Sequence, residues 1–191
     1  MAIILASQSP RRRELMGLLG VPFTAVTADI DETMDPGLPP AREVARVGAA
    51  KARKIAESAA PGDIVVAADT IVVVDGQILG KPKDAADAAR MLRLLSGRAH
   101  EVLTGLTVAQ DGRVQTETVR TVIRFRALSD AEIGAYVQTG EPMDKAGAYG
   151  IQGKASLFAE RIEGDYFCVM GLPLCPLARM LRACGVRILG E

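Results

Sequence analysis

Ser7-Gln8-Ser9-Pro10-Arg11-Arg12 sets two hydroxyls and two guanidinium groups where an apolar run, residues 2 to 6, gives way to a helical pattern. A turn of that kind offers backbone N–H groups and the positive end of a helix dipole to an anion, and the arginines add full charges. The motif is not a Walker A loop, because the GxxxxGK[ST] pattern is missing. Helical neighbours point about 100° apart, so the arginines at 11, 12 and 13 cannot all face one ligand and Arg13 reads as solvated surface. A purely structural account stands beside this one. Ser9 before Pro10 is a common helix start, and arginines on a helix are ordinarily solvated.

Asp69 and Thr70 interrupt IVVAADTIVVVD, residues 64 to 75, a run otherwise apolar and largely β-branched. A buried ionised carboxylate costs several kcal/mol unless it is paired or metal-bound. An Asp69 at a strand end facing a cleft is therefore favoured over one that merely starts a sharp turn. Lys51, Lys81 and Lys145 stand among small or conformationally special residues, in GAAKA, LGKPKD and MDKAGAYG. Singly, each reads as a solvated lysine. With Arg11, Arg12, Asp31, Glu32 and Asp69 they supply the mixture of cations and carboxylates that a polyphosphate and a divalent ion require. On chemistry alone Asp31, Glu32 and Asp69 are equally able to serve as base or as metal ligand.

His100 is the only histidine, so a zinc site of the His/Cys type lacks partners, and no Ser/His/Asp triad can be built. Cys168, Cys175 and Cys184 sit among Phe, Val, Leu and Met and read as small core residues. Any metal should be a hard cation such as Mg²⁺ or Mn²⁺ on oxygen ligands.

The elements that must position these groups follow from periodicity. Residues 2 to 6 read as a strand, and a helix runs from Pro10 to a stop at Gly20. A second strand is expected over 23 to 27. The acidic, proline-broken stretch 29 to 40 is an exposed loop, and a helix follows over 41 to 58. Strand pattern flanks Asp69 on both sides, Gly76-Gln77 turns the chain, and 84 to 95 is an amphipathic helix closed by Gly97. Segments 100 to 110 and 113 to 126 alternate about Asp111-Gly112 as a hairpin. Ser129 and Glu132 form a capping box for a helix that ends near Gly140. EPMDKAGAYGIQG, residues 141 to 153, reads as a structured functional loop. Two strands between 154 and 170, a helix over 173 to 184 and a terminal strand near 186 to 189 complete the order. Crossover units mixed with hairpins predict an α/β fold with a mixed sheet and outer helices, rather than a purely parallel doubly wound sheet.

With 191 residues, 49% of them hydrophobic, the chain can build one sizeable domain or two small lobes that share a cleft. Its 23 basic and 23 acidic side chains leave no net field to draw it onto a nucleic-acid backbone. Trp is absent and aromatics are 4%, which argues against stacking on single strands, so no nucleic-acid partner is expected. Basic residues follow the first apolar run instead of preceding it, and no run approaches 18 apolar residues, so neither a signal peptide nor a membrane span is expected. An odd cysteine count without CxxC points to a reducing, cytoplasmic compartment.

Taken together, SQSPRR at 7 to 12, AADTIV at 67 to 72, LGKPKD at 79 to 84, LSG at 95 to 97 with His100, and EPMDKAGAYGIQG at 141 to 153 closely resemble the Maf family of nucleoside triphosphate pyrophosphatases. The resemblance runs from the first strand to GLPL at 171 to 174, essentially the whole chain. It implies one domain over residues 1 to 191: a mixed, elongated sheet with flanking helices and two lobes around a cleft, similar to inosine triphosphate pyrophosphatase. It also implies hydrolysis between the α and β phosphates, with Mg²⁺ or Mn²⁺ as the divalent cofactor and a nucleoside triphosphate as the partner.

Position by position, the resemblance makes Asp69 the general base. It sets Glu32, Lys51 and Lys81 around metal and phosphates, with Glu32 and Asp69 as metal ligands, and Ser7, Ser9 and Arg12 in the phosphate loop. Arg11, Thr70 and Gln152 fall at positions associated with the choice of base. The chain looks like the group acting on dTTP and UTP, with modified pyrimidine nucleotides as further candidate substrates, in contrast to the group acting on 7-methylguanosine triphosphate. A Gln amide offers a donor and an acceptor to the O4/N3–H edge that uracil and thymine share. The alternatives are the same chemistry on 7-methyl-GTP or another modified nucleotide, and a nucleotide-binding regulator of septum formation. A homodimer is compatible with the sequence.

Overall fold

The structure is a computed structural model that describes residues 1 to 35 and 37 to 190. Its elements in chain order are β1 (Ile3–Ala6), α1 (Pro10–Gly17), β2 (Thr24–Val26), α2 (Pro40–Ala56), β3 (Ile64–Val74), β4 (Gln77–Leu79) and α3 (Ala85–Leu95). They continue with β5 (Ala99–Gln110), β6 (Arg113–Phe125), α4 (Asp130–Gln138), β7 (Ala159–Glu163), α5 (Tyr166–Met170) and α6 (Leu174–Ala183). Three short 3-10 turns lie between α4 and β7, at Glu141–Asp144, Ala146–Ala148 and Lys154–Leu157.

The strands form one seven-stranded sheet in the order β2-β1-β3-β5-β6-β7, with β4 paired to β3. β1 runs parallel to β2 and β3, whereas β4 pairs antiparallel with β3 and β7 with β6. The sheet is therefore mixed and carries flanking helices, as the element order predicts.

The chain divides into two compact units. Unit 1 comprises Met1–Asp69, Thr104–Val119 and the chain from Gly171 on, and unit 2 comprises Thr70–Leu103 and Arg120–Met170. In unit 1 the helix α2 turns Val44, Val47, Gly48, Lys51, Ala52 and Ile55 inward, the spacing of a helical stripe. Ala52 and Ile55 join Ala6, Val65, Ala67 and Ala109 in one apolar cluster. Helix and strand also meet backbone to backbone. A Cβ on Gly48 would lie 2.7 Å from the Gly105 oxygen, and one on Gly105 only 2.4 Å from the Val44 oxygen. Two glycines are what let α2 lie directly on β5.

Unit 2 packs around rings. Phe125 meets His100 and Tyr149 edge-on at 4.8 Å, and Phe158 at 5.9 Å, while Tyr136 meets Phe158 at 5.1 Å. α3 packs on α4 and buries Ala88, Met91, Leu92 and Leu95. The capping box at Ser129 and Glu132 is formed as expected.

Several expected boundaries differ. β3 runs unbroken through Asp69 and Thr70, so Asp69 lies mid-strand, which excludes the turn reading and corrects its expected place at a strand end. Asp75 and Gly76, at φ 50° and 77°, make a tight turn that leads into β4, a strand the sequence reading passes over. α1 ends at Gly17, ahead of Gly20. Only one strand lies between 154 and 170. Asp165 Oδ1 accepts the Phe167 N–H at 2.7 Å and starts helix α5 where a second strand is expected.

No strand forms at 186 to 189, although Val186 and Ile188 are buried. Their backbone bonds go to α6 instead, Val186 N–H to Leu181 O and Arg182 Nη2 to Ile188 O. Of the cysteines, Cys168 is buried, Cys175 exposed and Cys184 half-buried, which corrects the reading of all three as core. Among the described residues no helix is long and apolar enough to cross a membrane.

Candidate active site

The spacing of α2 explains the site in unit 1. Lys51 stands three residues after Gly48 on the same inward stripe, so the helix carries an ammonium where the pattern calls for an apolar side chain. Its Nζ donates to Asp69 Oδ1 at 2.8 Å and lies 3.0 Å from Glu32 Oε1. Lys51 and Asp69 are 9% and 10% exposed and Glu32 is 55% exposed, so a closed pair opens to solvent through one carboxylate. Burial draws the Arg12 guanidinium below the usual arginine range, against the pull of Asp69 and Glu32, and its neighbour Arg11 lowers it further. Arg12, Glu32, Lys51 and Asp69 are thus one electrostatic group.

The loop bearing Glu32 is held by residues the sequence reading did not single out. Glu43, fully buried on the first turn of α2, accepts the Asp35 N–H at 2.9 Å and both Nε and Nη2 of Arg46. Arg46 Nη2 also donates to Thr33 O at 2.8 Å. Asp31 is turned into the same loop, where its Oδ1 accepts the Thr33 N–H, and this bonding lowers its pKa. Glu43 directly precedes Val44 on the buried side of α2, and its partner Asp35 lies off the helix.

At the SQSPRR turn, Ser9 caps α1 by accepting the Arg12 N–H at 3.4 Å, and buried Ser7 accepts the Ser9 N–H at 3.2 Å. Arg12 Nε donates to Gly171 O at 2.8 Å, which fixes the guanidinium, and Arg13 is exposed as expected. The capping account of Ser9 therefore holds.

Arg11 is half-buried on α1, and unit 2 contains the remaining expected site residues. Thr70 is half-buried, and Lys81 and Gln152 are exposed. Lys145 Nζ donates to Glu141 O and Asp144 Oδ1, both at 2.6 Å, so this lysine is engaged within its own loop. His100 is buried, with Nε2 2.9 Å from the Tyr149 hydroxyl and Nδ1 without a partner among the described residues. Burial pushes its pKa down to about 4, and pushes those of Tyr149 and Tyr136 up.

Among the described residues no three or more of His, Cys, Asp and Glu gather as a metal cage. The oxygen donors closest to that role are Glu32 and Asp69, which already converge on one cation, the Lys51 ammonium.

The Maf-like protein family profile matches residues 2 to 184. A Bacillus pumilus protein named dTTP/UTP pyrophosphatase is 47% identical, over 96% of this chain and 97% of its own. One of the same name from Moorella thermoacetica is 50% identical, over 99% of this chain and 98% of its own. The solved structure of a nucleoside-triphosphatase, dITP/XTP pyrophosphatase, from Mycobacterium abscessus matches 67% of this chain and 76% of its own, at 20% identity and a TM-score of 0.46.

Proposed function

The chain belongs to the family of Maf-like proteins, and on that premise we propose that it is a nucleoside triphosphate pyrophosphatase that cleaves dTTP and UTP to the monophosphate and pyrophosphate. The observation that carries the reading is the Lys51 ammonium held between Asp69 and Glu32. A cation buried against two carboxylates costs stability relative to apolar packing, and handling a triphosphate gives that expense a purpose.

In this reading Asp69, with Oδ1 taken by Lys51, uses its second oxygen to orient a water and accept its proton. The water oxygen attacks the α phosphorus, the bond to the bridging oxygen breaks, and pyrophosphate leaves. Lys51 offsets the repulsion between the two carboxylates and fixes the angle of Asp69. Arg12, Ser7 and Ser9 at the start of α1 bind phosphate oxygens, and Lys81 adds a further cation. Arg11, Thr70 and Gln152 bear on the choice of base.

The donor set suits a divalent cation. Glu32 and Asp69 offer the hard carboxylate oxygens that Mg²⁺ or Mn²⁺ prefers, and two carboxylates completed by phosphate oxygens and water are a common way to hold Mg²⁺. When bound, the ion would offset charge on the transferring phosphoryl group. We assign one functional domain to residues 1 to 191, supported by a family match that runs from 2 to 184. The odd number of cysteines, with no CxxC pair among them, supports a cytoplasmic setting.

The test is incubation with dTTP, UTP, CTP, GTP and 7-methyl-GTP in Mg²⁺ or Mn²⁺, separating monophosphate plus pyrophosphate from diphosphate plus phosphate. dTMP and UMP with pyrophosphate are expected. Monophosphate from 7-methyl-GTP alone would overturn the base assignment, and diphosphate products would overturn the mechanism.

A further inference from the structure

Gln152 sits on a turn closed by the Gly153 N–H on Gly150 O at 3.0 Å, and its side chain is exposed. An exposed amide on a loose turn could rotate by 180° and satisfy uracil or cytosine equally well, because it carries both a donor and an acceptor. Discrimination therefore needs the turn to be fixed, and unit 2 fixes it from one side chain. Glu141 Oε1 accepts the Tyr136 hydroxyl at 2.9 Å, and Oε2 accepts the Lys154 N–H at 3.1 Å. The Tyr136 oxygen in turn accepts the Gly150 N–H at 3.0 Å. Gln152 is thus bracketed on both sides by amides that lead back to one carboxylate.

Space is equally constrained. A Cβ on Gly153 would lie 2.1 Å from Glu141 Oε1, and one on Gly150 would lie 2.7 Å from Lys145 Cε. The two glycines of the GIQG segment leave the room that the Glu141 and Lys145 side chains fill.

We propose that Glu141 is a positioning residue for base selection, acting directly on Lys154 and through Tyr136 on Gly150 to hold the turn that presents Gln152. The inference rests on the pyrimidine reading above and adds a residue to it. An amide in place of this carboxylate could still accept from Lys154 and donate to the Tyr136 oxygen, because a phenol hydroxyl both donates and accepts, so the test removes the acceptors outright. Glu141→Ala releases both sides of the bracket, and Tyr136→Phe releases the Gly150 side alone.

The experiment measures kcat and KM for UTP, dTTP and CTP on the wild-type protein and both variants, alongside thermal unfolding. Both variants are expected to lose the preference for UTP over CTP by at least about tenfold, mainly through a higher KM for UTP, as misplacement of a binding group predicts. Equal losses on all three substrates, or a lower Tm with the preference intact, would overturn the proposal and leave Glu141 a structural residue. A wild-type protein that cleaves neither dTTP nor UTP would overturn the functional reading itself, and this inference with it.

Discussion

Units 1 and 2 both bury polar side chains, and they meet the cost by different means. In unit 1 opposite charges do it: Lys51 against Asp69 and Glu32, and Glu43 against Arg46. In unit 2 the interior holds His100, Tyr136 and Tyr149, whose shifts come first from burial, which favours their neutral forms. Burial also lowers the Arg12 pKa in unit 1, where Asp69 and Glu32 answer it with an opposing pull. A neutral network can be filled and satisfied like any packed core. An ion pair in the same position is rarely the more stable choice, so a buried ion pair marks the place where charge is useful beyond folding. The two units thus separate a charged interior suited to reaction from an aromatic one suited to holding shape.

Asp69→Asn is the largest test of that separation. It should lower kcat by about a thousandfold, within the range for a general base, while the far-UV circular dichroism spectrum stays that of the wild type. A wild-type kcat would return Asp69 to a structural role and remove the distinction.

Lys51→Met comes next. It strands Asp69 in the interior, and with both partners about one-tenth exposed it should cost about 3 kcal/mol in urea unfolding. Adding Asp69→Asn should recover part of that loss, because the one carboxylate then left without its partner, Glu32, is 55% exposed and not buried. A double variant no more stable than Lys51→Met would mean that packing of the lysine stem, and not charge, sets the stability of unit 1.

The neutral interior of unit 2 has its own signature in pH. His100 titrates at about 4 in the fold against 6.5 in its ordinary state, so between those values the unfolded chain binds the extra proton. Its contribution is complete above about pH 6.5 and is lost as pH falls toward 4, amounting to about 3 kcal/mol. His100→Gln retains a partner for the Tyr149 hydroxyl and should flatten this part of the stability profile. An unchanged slope would assign acid sensitivity to carboxylates and not to the aromatic interior.

The smallest effect belongs to Asp75→Asn. It breaks a pair with Arg98 whose members are 67% and 43% exposed, and should move Tm by no more than about 2 °C. A larger fall would show that surface charge, and not the ring cluster, holds unit 2 together.

What was legible in the sequence depended on whether one element or several decide a residue's surroundings. Asp69 stood out because a carboxylate inside a β-branched run contradicts its own strand. Lys51 read singly as a solvated lysine, and its place on the buried stripe of α2, like its two carboxylate partners, emerges only in the fold. Glu32 was assigned by resemblance, since residue type does not distinguish it from Asp31; the bond that engages Asp31 is local, from the Thr33 N–H two residues on, and the Arg46 bond that holds Thr33 is tertiary. Glu43 and Glu141 escaped notice because their partners lie eight or more positions away in part, on Asp35 and Lys154. The tail from Val186 carries a strand-like alternation, but its backbone bonds go to α6 instead of to a sheet edge.

The contact of Gly48 with Gly105 sets how deep Lys51 reaches. Most helices rest on a sheet through side chains, which have rotamers and can change partners as the molecule warms. Here the spacing is set by main-chain atoms in van der Waals contact, and these have no torsional freedom to exchange. The backbone of Lys51 therefore rides on a rigid mount one helical turn away, while burial and the bond to Asp69 hold its side chain. No ordering of that lysine remains to be done when a substrate arrives.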